Sequence, residues 1–244
     1  MATKLAVLGA KGRMGSAVTR LAPGYGFEVV AQIDAGDDLA TIASSGAEAV
    51  VDFSTPAAFA KVCTALESAP RPIAFVCGTT GLDDDARAML DRLGKKTAVL
   101  WEPNMSVGVH VLSMLVERAM AALGPGYDVE VVEAHHRMKV DAPSGTALRL
   151  AEVVKAGREG SRYVHGREGK PGARNANEIG MHALRGGDVI GDHTVYFFGD
   201  GERIELTHRA SNRELFAHGA LRCAKWLTTS ARGPGRYRLA DVIG

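Results

Sequence analysis

Two histidines, an arginine and a lysine fall together at His135-His136-Arg137-Met138-Lys139, inside a run that reads E-A-H-H-R-M-K-V-D-A-P-S-G-T over 133–146. Side chains of these types can move protons and hold anions. A histidine near neutral pKa exchanges a proton with a bound molecule, and a lysine holds a carboxylate or donates a proton to nitrogen. Ser144-Gly145-Thr146 offers a hydroxyl and bare amides at the start of an expected helix over 146–155, a second anion site. Together they suit a small ligand carrying two carboxylates. The same residues would also suit a solvated loop whose Ser144 or Thr146 caps a helix. Adjacent side chains in an extended segment point apart and no third ligand stands nearby, so no metal is expected at His135 and His136. Met138 reads as packing.

A further anion site is written at the start of the chain. Gly9-Ala10-Lys11-Gly12-Arg13-Met14-Gly15 joins an apolar run to a helical pattern in the spacing G-x-x-G-x-x-G. The first glycine permits a tight turn, the second lets amides approach a pyrophosphate, and the third lets helix and strand pack closely. Asp34 closes the next β-rich run, where an acidic residue can bind the hydroxyls of an adenine ribose. Gly78-Thr79-Thr80 closes a later one. Each alone reads equally as a turn or a capping residue; at one edge of one sheet they point jointly to a dinucleotide.

The elements that must hold these groups follow from apolar periodicity. Residues 5–8 read as a buried parallel strand, and 15–21 as a helix ended by Pro23-Gly24-Tyr25-Gly26. Runs at 27–33, 49–53, 73–77 and 97–101 are β-rich, with helices expected over 54–66 and 83–93. That alternation implies βαβ units and a parallel sheet covered on both faces. After Asn104 the pattern changes. A long helix is expected over 107–123, a strand over 129–134, and a Gly- and Arg-rich surface loop over 158–177, suited to a lid or contact arm. Residues 181–185, 189–198 and 203–209 are strand-like, joined by the hairpin signals Gly186-Gly187-Asp188 and Gly199-Asp200-Gly201. A helix over 214–227 should bury Leu215, Phe216, Leu221, Trp226 and Leu227. The expected fold class is α/β: a Rossmann-type parallel-sheet domain plus a second α+β domain with an open mixed sheet.

Bulk composition is ordinary for a soluble globular protein. The 244 residues are 46% hydrophobic and 23% charged, and 29 basic residues nearly cancel 28 acidic ones. No general field then favours nucleic acid or a membrane surface, so neither is expected as a partner. Cys63, Cys77 and Cys223 are scattered and odd in number, unlike a disulfide framework or a zinc site. The apolar opening before Gly9 is too short for a membrane span and carries no cleavage signal, so a cytoplasmic location is expected.

The run over 133–146 resembles the signature of the 4-hydroxy-tetrahydrodipicolinate reductase (dihydrodipicolinate reductase) family. Residues 9–15, Gly78-Thr79-Thr80, Pro103-Asn104-Met105-Ser106-Val107-Gly108, Arg167-Glu168-Gly169, 186–193 and 207–212 match it in order, so the resemblance spans the chain. It implies NAD(P)H-dependent reduction of 4-hydroxy-tetrahydrodipicolinate to tetrahydrodipicolinate, with loss of water, on the route to diaminopimelate and lysine. It implies a dinucleotide-binding domain over 1–105 and 213–244, and a substrate-binding and oligomerisation domain over 106–212 that builds a homotetramer. His135 would be the proton donor and acceptor, and Lys139 a second donor. His136, Gly145 and Thr146 would contact the cyclic dicarboxylate, with Ser144 shaping its pocket. Gly9, Ala10, Lys11, Gly12, Arg13, Met14, Asp34, Gly78, Thr79, Thr80, Glu102, Pro103, Asn104 and Met105 would bind NADH or NADPH. Glu102-Pro103 stands where many members carry small residues. Ala35 stands where some place an arginine for a 2′-phosphate, so NADH is expected to serve at least as well as NADPH. The competing readings are another two-domain amino-acid pathway dehydrogenase and a dinucleotide sensor without activity. A semialdehyde dehydrogenase would need a nucleophilic cysteine, which no cysteine here is set up to be. A sensor needs no histidine–lysine cluster.

Overall fold

The residues Leu5-Ala6-Val7-Leu8, Ala49-Val50-Val51 and Ala74-Phe75-Val76-Cys77 are all buried. Runs of this kind need cover on both faces, as a parallel sheet between helices provides. The computed structural model describes residues 1–229 and 232–244. In it β1 (Thr3–Leu8), α1 (Arg13–Leu21), β2 (Phe27–Ile33), α2 (Thr41–Ser44), β3 (Ala49–Asp52), α3 (Pro56–Glu67), β4 (Ala74–Cys77), α4 (Asp84–Leu93) and β5 (Ala98–Trp101) alternate along the chain. Next come α5 (Val107–Leu123), β6 (Asp128–His135), α6 (Gly145–Ala156), β7 (Arg162–His165), β8 (Glu178–Arg185), β9 (Asp192–Gly199) and β10 (Glu202–Arg209). Finally α7 (Glu214–Thr229), β11 (Gly235–Tyr237) and α8 (Leu239–Ile243) close the chain. Two units result, Met1–Val107 with Arg213–Gly244, and Gly108–Asn212.

The first unit is a six-stranded sheet in the order β11-β5-β4-β3-β1-β2, parallel throughout. Because side chains alternate along a strand, its residues divide between two cores. Leu5, Val7, Val51, Val76 and Leu100 pack with Val18, Leu221 and Leu239, whereas Leu8, Val50, Phe75 and Val99 pack with Phe59, Leu66 and Leu90. β1 lies between β2 and β3, so the chain leaves it toward opposite sides. A crevice therefore opens at the carboxyl ends of these strands, where open α/β sheets bind ligands. The buried residues of α7 are Ala217, Gly219, Ala220, Leu221, Cys223, Ala224 and Leu227; of the expected face, Leu221 and Leu227 are buried, Phe216 and Trp226 are half-buried against the same core, and Leu215 is half-buried outside it. Close approach is the reason for the small ones. A Cβ on Gly219 would lie 1.8 Å from the Met105 carbonyl oxygen, so the inner face mixes Gly219 and alanines with Leu221 and Leu227, while Phe216 and Trp226 sit at its margin.

The second unit is a five-stranded mixed sheet, β10-β9-β6-β8-β7. β6 runs parallel to β8 and antiparallel to β9, and β9 pairs antiparallel with β10. Gly199-Asp200-Gly201 is thus a true hairpin turn, with Gly201 at φ +81°. Gly186-Gly187-Asp188 is not, because β6 lies between β8 and β9; the glycines instead carry the chain across the end of β6, where Gly186 N–H donates to the His135 carbonyl at 3.0 Å. Residues 158–177 are not a plain surface loop either. They contain β7, an edge strand parallel to β8, and arginines tie them down. Arg158 is buried against the carbonyls of Pro125 and Tyr127. Arg167 grips Glu130 with two bonds of 2.9 Å, and Arg174 adds a third of 2.9 Å. Burial opposes charge on Glu130, but hydrogen bonds from Arg167, His182 and Arg174 overcome it and bring the carboxyl down to about 2. The helical stretch Val107–Gly126 is 20 residues long and contains an 18-residue window of mean hydropathy 1.4, enough by length and composition to span a membrane. On it, Leu112, Val116 and Met120 pack into the core of this unit with Val129, Leu150 and Ile179.

Candidate active site

β6 alternates half-buried and buried along its length, which puts Val129, Val131, Glu133 and His135 on its inner face. Glu133 and His135, two apart, therefore stand side by side. His135 donates from Nδ1 to Glu133 Oε2 at 2.5 Å. The neighbouring strands complete the cluster: Arg185 pairs in register with His135, and His193 with Glu133. Arg185 clamps Glu133 with bonds of 2.8 and 2.7 Å, the bidentate geometry that binds carboxylates most strongly. The carboxylate also accepts the Ser144 N–H at 3.1 Å. Burial works against charge on Glu133, yet the bonds from Arg185, His135 and Ser144 prevail and its pKa is lowered. Burial lowers the His135 pKa, and its Glu133 partner only partly offsets this. His193, hydrogen-bonded to the Ser144 hydroxyl at 3.2 Å, is pushed down to about 4 by burial and by nearby His135. His193 is accordingly neutral at physiological pH, with its ring edge-on to His135 at 5.1 Å.

Ser144 also caps α6, its hydroxyl accepting the Ala147 N–H at 3.2 Å. The preceding amides, on Gly145 and Thr146, lie at the positive end of a 12-residue helix. A Cβ on Gly145 would meet nothing within 4 Å, so space before that turn is open. Lys139 sits in the loop between β6 and α6, bonded to Asp141 at 2.8 Å, and its N–H donates to the His136 carbonyl at 3.1 Å. His135 and Ser144 thus meet through Glu133 and His193. Gly145 and Thr146 open the helix behind Ser144, and His136 and Lys139 belong to the adjoining turn.

The other expected site residues line the carboxyl edge of the parallel sheet. Gly9 takes φ +69°, and a Cβ there would lie 2.6 Å from the Phe53 carbonyl oxygen; one on Gly15 would lie 2.1 Å from the Gly9 oxygen. The turn from β1 into α1 is therefore packed so tightly that only glycine fits, which leaves the first amides of α1, around Arg13 and Met14, open to an anion. Asp34 accepts the Lys11 N–H at 2.9 Å, tying the turn to the end of β2. Gly9, Gly12, Asp34 and Ala35 line a pocket of about 240 Å³ with Leu39, Phe53 and other largely apolar residues. A flat base and its ribose suit such walls, so these residues fit a dinucleotide. Gly78, Thr79 and Thr80 follow β4, and Glu102, Pro103, Asn104 and Met105 follow β5; none of these lines that pocket. Trp101 donates to the Thr79 carbonyl at 3.0 Å. The Glu102 carboxylate is turned to the Leu239 N–H at the start of α8, 3.3 Å away, and Met105 is buried.

Three residues of the cluster around His135 are not singled out by the sequence: Glu133, Arg185 and His193. For Glu133 a signal existed, since a carboxylate two before a histidine in a strand shares its face. For Arg185 none did, and His193 stands only at the end of the matching stretch 186–193 without a role, because strand register is what brings both in. Asp52 was also missed. It ends β3 fully buried, accepts the Ser54 N–H at 2.7 Å and the Thr79 hydroxyl at 3.3 Å, and has a pKa raised by burial. It joins the turn beneath Gly9 to the end of β4. Among the described residues no cluster of His, Cys, Asp and Glu could hold a metal.

Comparison with known proteins follows this division. Residues 3–105 match the family described as "Dihydrodipicolinate reductase, N-terminus", and residues 108–243 its counterpart, "Dihydrodipicolinate reductase, C-terminus". The chain is 48% identical to the 4-hydroxy-tetrahydrodipicolinate reductase of Myxococcus xanthus, over 98% of this chain and 89% of that one. It is 43% identical to the protein of the same name from Thiobacillus denitrificans, over 100% and 99%. In fold it is similar to a dipicolinate-bound dihydrodipicolinate reductase from Paenisporosarcina, with TM-score 0.81, 24% identity and full coverage of both chains.

Proposed function

The chain belongs to the dihydrodipicolinate reductase family, and on that premise we propose how its residues carry the reaction. It is an NAD(P)H-dependent oxidoreductase that reduces 4-hydroxy-tetrahydrodipicolinate to tetrahydrodipicolinate, releasing water, in the diaminopimelate and lysine pathway. The observation that carries the residue assignment is the His135 ring, held by Glu133 beside the open start of α6. Gly145 and Thr146 would receive one substrate carboxylate on their amides, with Ser144 shaping the turn. Lys139 and His136 would meet the other carboxylate, Lys139 exchanging its Asp141 partner for it. His135, a positioned imidazole of lowered pKa, would supply the proton that the reduced ring takes up, with Lys139 as second donor. That the Paenisporosarcina protein is dipicolinate-bound fits a ring with two carboxylates.

The first unit would hold the cofactor: Gly9, Ala10, Lys11, Gly12, Arg13 and Met14 at the diphosphate, Asp34 at the adenine ribose, and Gly78, Thr79, Thr80, Pro103, Asn104 and Met105 further along the edge. Glu102 would contribute there through its backbone, its carboxylate being engaged at α8. When bound, the nicotinamide supplies the hydride. A carboxylate at Asp34 can accept hydrogen bonds from ribose hydroxyls but repels a 2′-phosphate, and exposed Ala35 offers no cation to compensate. Lys11 and Arg13, both exposed, soften that repulsion. NADH should therefore be used at least as well as NADPH. Asp34→Ala with Ala35→Arg should move the preference toward NADPH by about 1–2 kcal/mol, one repulsion removed and one charge-assisted contact added. Steady-state kcat/KM with freshly made substrate and each cofactor tests both activity and preference. No turnover with either cofactor would overturn the functional reading, and a tenfold wild-type preference for NADPH would overturn the role of Asp34.

A homotetramer built through the second unit completes the proposal. β10 and β7 are open edges of its sheet, and Phe198 and Ile204, half-exposed on it, need a covering surface. Light scattering at micromolar concentration should give four chains; a stable monomer would contradict this. Three buried, unpaired cysteines fit a cytoplasmic enzyme.

A further inference from the structure

We propose that Glu133 is a positioning residue for the reaction, one carboxylate that sets the His135 tautomer through one oxygen and the anion-binding turn at Ser144 through the other. The inference rests on the catalytic role proposed for His135 and deepens it. An ionised carboxylate can only accept hydrogen bonds, so the 2.5 Å contact fixes a proton on Nδ1 of His135. Nε2 is then the atom left to exchange a proton with a ligand. Gly191 keeps that side clear, since a Cβ there would come within 3.0 Å of Nε2. Glu133 Oε1, meanwhile, accepts the Ser144 N–H at 3.1 Å, immediately before the start of α6. A shift of Glu133 would therefore move the proton-bearing ring and the carboxylate-binding turn together.

Arg185 is what makes this arrangement hold. Glu133 is 1% exposed, and a carboxylate so enclosed would take up a proton without compensating donors. Both of its oxygens receive Arg185, at 2.8 and 2.7 Å, and the same guanidinium reaches the Asp141 carbonyl at 2.6 Å. The charged and titratable groups facing His135 are Glu133 on its own strand, Arg185 from β8, His193 from β9, and Lys139 from the loop that follows. Of these only Glu133 favours the imidazolium. Removing its charge should lower the His135 pKa further, because burial, Lys139 and Arg185 all act in that direction.

The test uses the full chain with histidine labelled by nitrogen-15, in wild type, Glu133→Gln and Glu133→Asp. In Glu133→Gln the His135 ring signals should move from the Nδ1–H pattern toward a mixture with Nε2–H. kcat/KM should fall about tenfold at neutral pH, and the alkaline limb of its pH profile should move to lower pH, while NADH binding stays unchanged. Glu133→Asp keeps the charge but shortens the reach, so its alkaline limb should stay near that of wild type although kcat falls. It also supplies the ring spectrum if the glutamine variant does not fold, and should then show a weakened Nδ1–H pattern. An unchanged tautomer pattern and an unmoved limb would overturn the role of Glu133, even if activity dropped. The ring spectrum needs no substrate, so that failure is distinct from failure of the reductase reading, which the turnover assay judges by itself.

Discussion

Replacing His135 by alanine is expected to cut turnover by roughly 10²–10⁴, the range for losing a positioned acid or base. Such a loss corresponds to roughly 3–5 kcal/mol of transition-state stabilisation. The ring is buried, hydrogen-bonded to Glu133 and edge-on to neutral His193, so water cannot readily take its place with the same alignment. Lys139→Met should cost a similar factor if the ammonium delivers a proton, and should also raise KM if it holds a carboxylate. Nucleotide affinity should barely change in either variant, because the glycine turn, Asp34 and the pocket they line belong to residues of the first unit. Steady-state kinetics with a parallel titration of NADH separates the two effects. Near-normal turnover by His135→Ala would overturn the catalytic assignment.

How much of this was legible beforehand depends on whether a feature is local. Five strands of the parallel sheet could be read because they are short apolar runs, with Gly9 after β1, Asp34 after β2 and Gly78 after β4 as turn residues; β11, Gly235-Arg236-Tyr237, has no such pattern and was not expected. Pairing order in the second sheet could not be read. Gly186-Gly187 looks like any hairpin signal, and only the insertion of β6 between β8 and β9 removes the hairpin. The edge strand β7 was hidden for a related reason: Arg162-Tyr163-Val164-His165 has exposed polar ends and takes its shape from β8. The large residues on the inner side of α7 follow from its period, but the small ones, Ala217, Gly219, Ala220 and Ala224, do not, because they answer to the close approach of Gly219 to Met105.

The candidate site divides in the same way. His135, Lys139 and Ser144-Gly145-Thr146 announce themselves by type and spacing within one short run. Glu133, which holds His135, lies in the same run, but the partners that enclose the pair come from other strands. Arg185 and His193 reach the cluster only through the register of β8 and β9 on β6; no local pattern marks Arg185, and the matching stretch 186–193 includes His193 without showing what it meets. Asp52 is a milder case, an aspartate at the end of a buried strand that reads as a turn residue until its bonds to Ser54 and Thr79 are traced.

Pyridine-2,6-dicarboxylate should inhibit competitively against the cyclic substrate, and pyridine-2-carboxylate should bind about 1.5–3 kcal/mol more weakly, the worth of one charge-assisted hydrogen bond. That range amounts to roughly 10–150-fold in Ki. The argument rests on two separate anion sites. One is the start of α6, where a Cβ on Gly145 would meet nothing within 4 Å and the helix dipole favours negative charge. The other is the turn carrying His136, Arg137 and Lys139. A ligand carboxylate must compete there with Asp141, which already holds Lys139 at 2.8 Å. The Asp141 side chain is 53% exposed, and exposed pairs are worth only about 0–1 kcal/mol. Breaking that pair therefore discounts the second carboxylate without cancelling it, and the lower half of the range is the better expectation. Asp141→Asn would remove the competitor, so it should tighten binding of the dicarboxylate while leaving the monocarboxylate nearly unchanged, if the latter seats on α6. Equal inhibition by the two compounds in the wild-type protein would sink the two-site pocket and leave α6 as the sole anchor.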